Sequence, residues 1–164
     1  NPGRFNVYSI RDFRIVVDYG HNPAGYRRVI DAVSKMGGSR LVGIIGMPGD
    51  RSDDAVRTVG ELAGRAFDKV IIKEDKDLRG RKPGEISKLL LEGVIAGGLS
   101  GDAVSQIRSE DAALRKAIKN AVAGDIIVIF YEDLDCIMKV INEETIQNEK
   151  SNSQDISEYM LVKA

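Results

Sequence analysis

Three short stretches gather the residue types that do chemistry. In Asp18-Tyr19-Gly20-His21-Asn22-Pro23 a carboxylate, the only imidazole of the chain and an amide side chain stand within five residues. Gly20 permits a bend, and Pro23 is suited to open a helix whose free amides face a ligand. The plain alternative is that Asp18 and Asn22 cap that helix and His21 is a solvated loop residue. In Gly46-Met47-Pro48-Gly49-Asp50-Arg51-Ser52-Asp53-Asp54 two glycines allow a ligand close to the backbone. The Gly-Lys-Ser/Thr ending of a P-loop is absent here and elsewhere in the chain, as is the G-x-G-x-x-G fingerprint. The domain is therefore not expected to cradle a triphosphate by itself. The alternative is a βα loop with Ser52 or Asp53 as helix cap. The third stretch, residues 73–85, packs nine charges into thirteen positions. Arg79 and Arg81 flank Gly80, an arrangement suited to two-pronged recognition of a carboxylate or phosphate. Its alternative is a solvated, self-neutralising loop.

These stretches need elements to hold them, and the apolar period supplies them. Residues 5–10 and 14–19 read as two strands joined by a tight turn at Arg11 and Asp12, an N-terminal hairpin. Tyr26, Val29, Ile30 and Val33 recur at helical spacing after Pro23, and Gly37 and Gly38 end that helix. Residues 41–45 form a short apolar strand, 53–67 a helix on the Val56, Val59, Leu62, Ala63 and Ala66 face, and 70–72 a strand. Pro83 is placed to open a helix through Ile86, Leu89, Leu90 and Val94 that stops at Gly97 and Gly98. A short strand at 104–107, a helix at 111–122, the strongly β-like 125–131 and a helix from Leu134 through Ile141 complete the pattern. Residues 144–157 are polar and aperiodic and are expected to fray, with 159–162 docking as a last short segment. Such alternation predicts an α/β fold: a Rossmann-like three-layer sandwich, with a mostly parallel sheet of about six strands, an N-terminal hairpin and helices on both faces. Ligands in such sheets sit beyond the carboxyl ends of the strands, which is where all three stretches fall.

Composition narrows the function further. The chain has 164 residues, 43% of them hydrophobic and 30% charged, enough for one domain and its core. With 24 basic and 25 acidic residues the net charge is −1, so no overall field draws nucleic acid or an anionic membrane. A single cysteine, Cys136, excludes an internal disulfide framework and an all-cysteine zinc site. The single His excludes a multi-histidine metal site, so no metal ligands are assigned. Cysteine usage points to a reducing, cytoplasmic compartment. No stretch reaches the roughly 20 apolar residues of a membrane helix. The start at Asn1 rather than Met suggests a piece excised from a longer polypeptide.

Taken together the stretches resemble the C-terminal domain of Mur-type ligases, in the form found in the cyanophycin synthetases. Pro2-Gly3-Arg4-Phe5 resembles the hinge that joins this domain to the central ATPase domain. Asp18-Tyr19-Gly20-His21-Asn22-Pro23-Ala24 resembles a D-Y-[AG]-H-N-P-A motif. Pro48-Gly49-Asp50-Arg51, Phe67-Asp68 and Lys73-Glu74-Asp75 with Arg79-Gly80-Arg81 follow in the family's order. The resemblance implies a domain at 1–143, with 1–4 left from the hinge, and a polar tail at 144–164. It implies a ligase that uses ATP and Mg2+, both bound mainly by the central domain, to turn a carboxylate into an acyl phosphate attacked by the amine of an incoming amino acid. By the same resemblance that amino acid is arginine and its acceptor an aspartate side chain. Arg4 would act at the ATP phosphates, with Asp18, His21 and Asn22 on the nucleotide side. Asp50, Arg51, Asp75, Asp77, Arg79 and Arg81 would shape the amino-acid pocket. Glu74, Asp75 or Asp77 would take the guanidinium and Arg79 or Arg81 the α-carboxylate. The upstream ATPase domain and a small amino acid are then the partners, and the domain alone is inactive. A free-standing Rossmann-like module that binds a nucleotide or amino acid without catalysis, and a Mur-type ligase domain for another amino acid, are the competing readings.

Overall fold

β-branched runs become strands here, and each stretch of helical period folds back over them. The computed structural model describes residues 1–163. Its strands are β1 (Asn6–Ile10), β2 (Phe13–Asp18), β3 (Arg40–Ile45), β4 (Lys69–Ile72), β5 (Val104–Gln106) and β6 (Asp125–Phe130), and its helices are α1 (Pro23–Ser34), α2 (Asp53–Ala66), α3 (Glu85–Ala96), α4 (Glu110–Lys119) and α5 (Leu134–Lys163). The sheet runs β1-β2-β6-β3-β4-β5. β1 pairs antiparallel with β2, Asn6 opposite Val17, and the other neighbours are parallel.

The helices divide cleanly between the faces. Tyr26, Val29 and Val33 of α1, Val56, Val59 and Ala63 of α2, and Ile86, Leu90 and Val94 of α3 share one core with Val16, Ile45, Val70, Ile72 and Val128. Ala113, Leu114 and Ile118 of α4 and Ile137, Val140 and Ile141 of α5 share the other with Ile15, Val17, Ile44 and Ile129. Alternate strand residues feed opposite cores, the period-two rule for a sheet buried on both faces. The chain steps outward from β2 to β5 over the first face and returns to β6 through α4 on the second. Right-handed crossovers require that change of face when direction reverses. β6, inserted between β2 and β3, therefore marks the switch point where a crevice opens at the carboxyl edge.

Local chemistry sets the element ends. The Asn22 side chain accepts from the Gly25 amide and Pro23 occupies the first turn of α1. Ser52 caps α2 through the Ala55 amide, with Asp53 and Asp54 in the first turn and Arg65 in the last, which suits the helix dipole. α3 begins at Glu85, two residues beyond Pro83, because Gly84 takes the cap position in left-handed conformation. α2 and α3 approach until Gly60 and Gly64 face the Leu90 and Val94 carbonyls, where a Cβ would collide.

One expected element differs. Residues 144–163 neither fray nor dock: α5 continues as a 30-residue helix whose only buried residues are Ile137, Val140 and Ile141. No Gly or Pro follows Leu134 to interrupt it, and Gln154 bonds Glu158 one turn on. Tyr159, Met160, Leu161 and Val162 are exposed. The last position of the expected tail, Ala164, lies outside the described residues.

Candidate functional site

β2 ends in Asp18, and the chain turns at once through Tyr19 and Gly20 into the capped α1. That turn makes a wall with a cleft on either side. On one side Arg4, Asp18, Tyr19, Gly20, His21, Asn22, Gly25 and Arg28 line a cleft of about 110 Å³. Arg4, fourteen residues before Asp18 in the sequence, thus meets Asp18, His21 and Asn22 at one place, where all four are expected on the nucleotide side. Asp18 is buried, accepts the Phe5 amide at 2.9 Å and both carboxylate oxygens accept from Arg28 Nη2 at 3.2 Å. Phe5 sits at φ 49°, a conformation unfavourable for a side chain with a Cβ, so the Asp18 bond helps hold it there. Gly3, at φ +80°, lies so close to the Tyr131 hydroxyl that no Cβ fits between them. The segment is folded onto β6 and delivers the exposed Arg4 side chain to the cleft. Asp18 therefore contributes mainly by anchoring this segment.

On the other side Tyr19, Gly20, His21, Gly46, Pro48, Lys73, Asp75, Arg79 and the segment Phe130-Tyr131-Glu132 line a second cleft of about 120 Å³. Its floor is built around Tyr26, fully buried and stacked on Phe130 with centroids 3.7 Å apart. The Tyr26 hydroxyl donates to the Gly46 carbonyl at 2.7 Å and accepts the Gly46 amide at 3.2 Å, which fixes the start of the Gly46-Met47-Pro48 loop. Burial pushes that phenol well above its ordinary range, so it stays a donor. Tyr19 rests against the His21 and Tyr131 rings at 5.0 and 5.5 Å, forming an aromatic crest between the clefts. Burial first, then the Asp18 carboxylate, raise the Tyr131 phenol, which is therefore neutral at physiological pH.

Beneath the second cleft lies a buried charge network. Lys73 is 1% exposed, and its ammonium is 3.2 Å from Asp75 Oδ1 and 3.2 Å from Glu110 Oε2. Glu110 in turn accepts the Glu132 and Asp133 amides, both at 2.8 Å. Glu132 accepts the Lys76 and Asp77 amides. The loops after β4 and β6 and the start of α4 are thereby tied together. A buried ammonium is tolerable only with such partners.

The remaining expected residues divide by how far they are already engaged. Arg81 donates to the Gly49 carbonyl at 2.8 Å and the Arg51 carbonyl at 2.7 Å and pairs with Asp53, so it clamps the Gly49–Arg51 backbone. Arg51 donates to the His21 carbonyl and links that loop to the wall between the clefts. Glu74 is buried, accepting the Gly84 amide and pairing with Arg108. Asp77 is exposed and accepts the Arg79 amide. Arg79, half exposed at the mouth of the second cleft, pairs with the exposed Asp50 at 2.8 Å. The Arg79 guanidinium holds the Asp50 carboxyl below the usual range and is itself raised. Such a pair, open to water, is easily exchanged for a ligand. The sequence does not single out Glu110, Arg28, Tyr131 and Glu132, and names Lys73 only as part of the Lys73-Glu74-Asp75 motif, without a role. The segment after β6 has no glycine or motif, and its place between β2 and β3 depends on strand order. Among the described residues no group of three or more His, Cys, Asp or Glu side chains is placed to hold a metal ion.

Known proteins resemble the chain along most of its length. The model of the family described as "Mur ligase, glutamate ligase domain" matches residues 3–130. A cyanophycin synthetase of Crocosphaera subtropica is 38% identical over 141 residues, which is 86% of this chain and 16% of that protein. The chain thus spans about a sixth of the curated relatives it matches first. Among solved structures, UDP-N-acetylmuramoyl-L-alanyl-D-glutamate–2,6-diaminopimelate ligase superposes with a TM-score of 0.68 at 22% identity, covering 88% of this chain and 32% of that one. FolC of E. coli in complex with ADP superposes with a TM-score of 0.65 at 20% identity, covering 87% and 32%.

Proposed function

The chain belongs to the Mur ligase, glutamate ligase domain family, and on that premise we propose that it is the closing domain of an ATP-dependent amide ligase of the cyanophycin synthetase type. The proposed ligase joins an amino acid, arginine, to a carboxylate through an acyl phosphate. The observation that carries this reading is the pair of clefts sharing one wall at the carboxyl edge, one rimmed by guanidinium groups and the other by acids with a single exposed arginine.

The first cleft suits the phosphates and nucleotide. Arg4 is exposed and Arg28 is 59% exposed, so both offer donors to an anion. A guanidinium brought in by domain closure stabilises charge developing on a transferred phosphoryl group, since it stays charged and reaches two oxygens. His21, Asn22 and the Tyr19 ring flank the nucleotide side. ATP supplies the phosphoryl group that activates the carboxylate. Among the described residues no carboxylate cluster is placed to hold a metal ion, and in this proposal magnesium is assigned to the partner domain.

The second cleft suits a cationic amino acid. Asp75, 14% exposed on its side chain, faces the cleft while leaning on Lys73, and takes the cationic end. Arg79, released from Asp50, takes the α-carboxylate. Glu74 and Arg81, already engaged inside the protein, leave these roles to Asp75, with Asp77 nearby, and Arg79. The wall between the clefts brings amine and activated carboxylate together, and closure excludes water from the labile acyl phosphate.

The test is complementation. The chain alone is expected to show no amide formation and no ATP turnover. Joined to its upstream ATPase domain it is expected to support ATP-dependent amide formation, and Arg4→Ala in that polypeptide to slow the step about a hundredfold. Brisk ATP hydrolysis by the isolated chain, or a normal rate with Arg4→Ala, contradicts the proposal.

A further inference from the structure

The amino edge of the sheet carries two apolar features that remain unpartnered within the described residues. The first is a hollow of about 240 Å³ on the α4 face, larger than either carboxyl-edge cleft. It exists because six strands on this face are covered by only two helices, leaving the amino end of β4 and the short edge strand β5 only partly covered. Its floor is Val42, Ile71, Val104 and Ala117, and its rim carries Lys69 and Lys116. The second is the distal part of α5. Glu143 bonds Arg115 at 2.8 Å, so α5 lies along α4 and leaves the sheet with it at the amino edge. Residues 144–163 then extend about 30 Å beyond the core. Ile156, Tyr159 and Met160, at i, i+3 and i+4, form an apolar face that is 58% to 65% exposed.

We propose that two copies of this chain associate by exchanging these arms, the Ile156, Tyr159 and Met160 face of each α5 seating in the hollow beside β5 of the other. Three observations fit together. An apolar face of this kind, left in water, marks an interaction surface. Ile156, Tyr159 and Met160 are exposed and no α5 residue lines the hollow, so the arm leaves the hollow of its own chain free for that of a second copy. Charge matches as well: residues 144–163 carry Glu144, Glu149, Asp155 and Glu158 against Lys150 and Lys163. The hollow's rim presents Lys69 and Lys116, neither ion-paired among the described residues, against Asp102. Both features lie at the same edge of the sheet, so a two-fold axis there lets each copy give and receive one arm, the closed arrangement that avoids open-ended chains. The proposal does not rest on the ligase reading, since the amino edge is opposite the clefts.

Sedimentation equilibrium of the 164-residue chain from about 1 µM to about 1 mM tests it. A monomer–dimer equilibrium is expected. Ile156→Asp with Met160→Asp should abolish it, and so should truncation after Lys150. Neither change touches a buried residue, so circular dichroism is expected to show folded domains. Lys69→Glu with Lys116→Glu should weaken the dimer about tenfold, and adding Asp155→Lys with Glu158→Lys to the same chain should recover it. A monomer throughout the concentration range overturns the proposal. A dimer broken by the arm substitutions but indifferent to the rim charges overturns it too, since the arms would then pair with each other.

Discussion

Two buried ion pairs, one at each edge of the same sheet, differ in what they leave open to a ligand. At the amino edge Arg40 Nε and Nη2 reach the two oxygens of Asp125 at 2.9 and 2.6 Å, and the Val122 amide adds a third bond. Both carboxylate oxygens of Asp125 are satisfied internally, and the carboxylate is closed to ligands. At the carboxyl edge Lys73 divides its charge between Glu110 and Asp75, and Asp75 faces a cleft. The amino-edge pair locks the start of β3 to the start of β6. The carboxyl-edge network holds the start of a site in a state of incomplete neutralisation, leaving an acid available to a ligand.

The largest expected effect breaks the amino-edge pair. Asp125→Ala strands a guanidinium against the sheet and should cost about 3 kcal/mol in urea unfolding, with ligand affinities at the carboxyl edge unchanged. Acid should do part of the same work. Burial pushes the Asp125 carboxyl up, but the Arg40 bonds, the Val122 amide and the nearby Lys69 charge together hold it below the usual range. A depressed folded value means that the stabilisation is complete above the unfolded aspartate value of about 3.9 and is lost as pH falls through the folded one. The stability gap between wild type and Asp125→Asn should therefore close in that acid window.

Lys73→Met comes next, at about 2 kcal/mol, because Glu110 keeps its two amide donors while two carboxylates are left facing each other. Unlike Asp125→Ala it should also weaken amino-acid binding, and an unchanged affinity would place Lys73 with the purely structural pairs. Tyr26→Phe should cost about 1 kcal/mol and loosen the Gly46 loop, read as faster amide exchange there. Arg79→Ala should leave the urea-unfolding midpoint essentially unchanged, since its pair is open to water, yet lower amino-acid affinity.

The sequence disclosed the elements well, because Val, Ile and Leu spacing reports which side faces a core. It also placed the three motif-bearing loops together at the carboxyl edge, since Asn22, Pro23 and the Arg79-Gly80-Arg81 turn shape the chain locally. Strand order was hidden, and with it Tyr131 and Glu132, which join the site only because β6 inserts between β2 and β3. Engagement was equally hidden. Arg79 and Arg81 look alike in the sequence, but one waits at a cleft and the other holds the Gly49 and Arg51 carbonyls. The close approach of α2 and α3 over glycines gave no periodic signal. α5 runs longer than its apolar period indicates because a polar, aperiodic stretch without Gly or Pro reads as loop by pattern and as helix by propensity.

The proposed division of the carboxyl edge by one wall into a nucleotide cleft and an amino-acid cleft can be read by amide chemical-shift titration of the isolated chain. ATP is predicted to perturb Arg4, His21 and Asn22, arginine to perturb Asp75, Arg79 and Glu132, and both together to shift the Tyr19–Gly20 wall. Both ligands moving the same set of amides, or neither moving any of them at millimolar concentration, would contradict it.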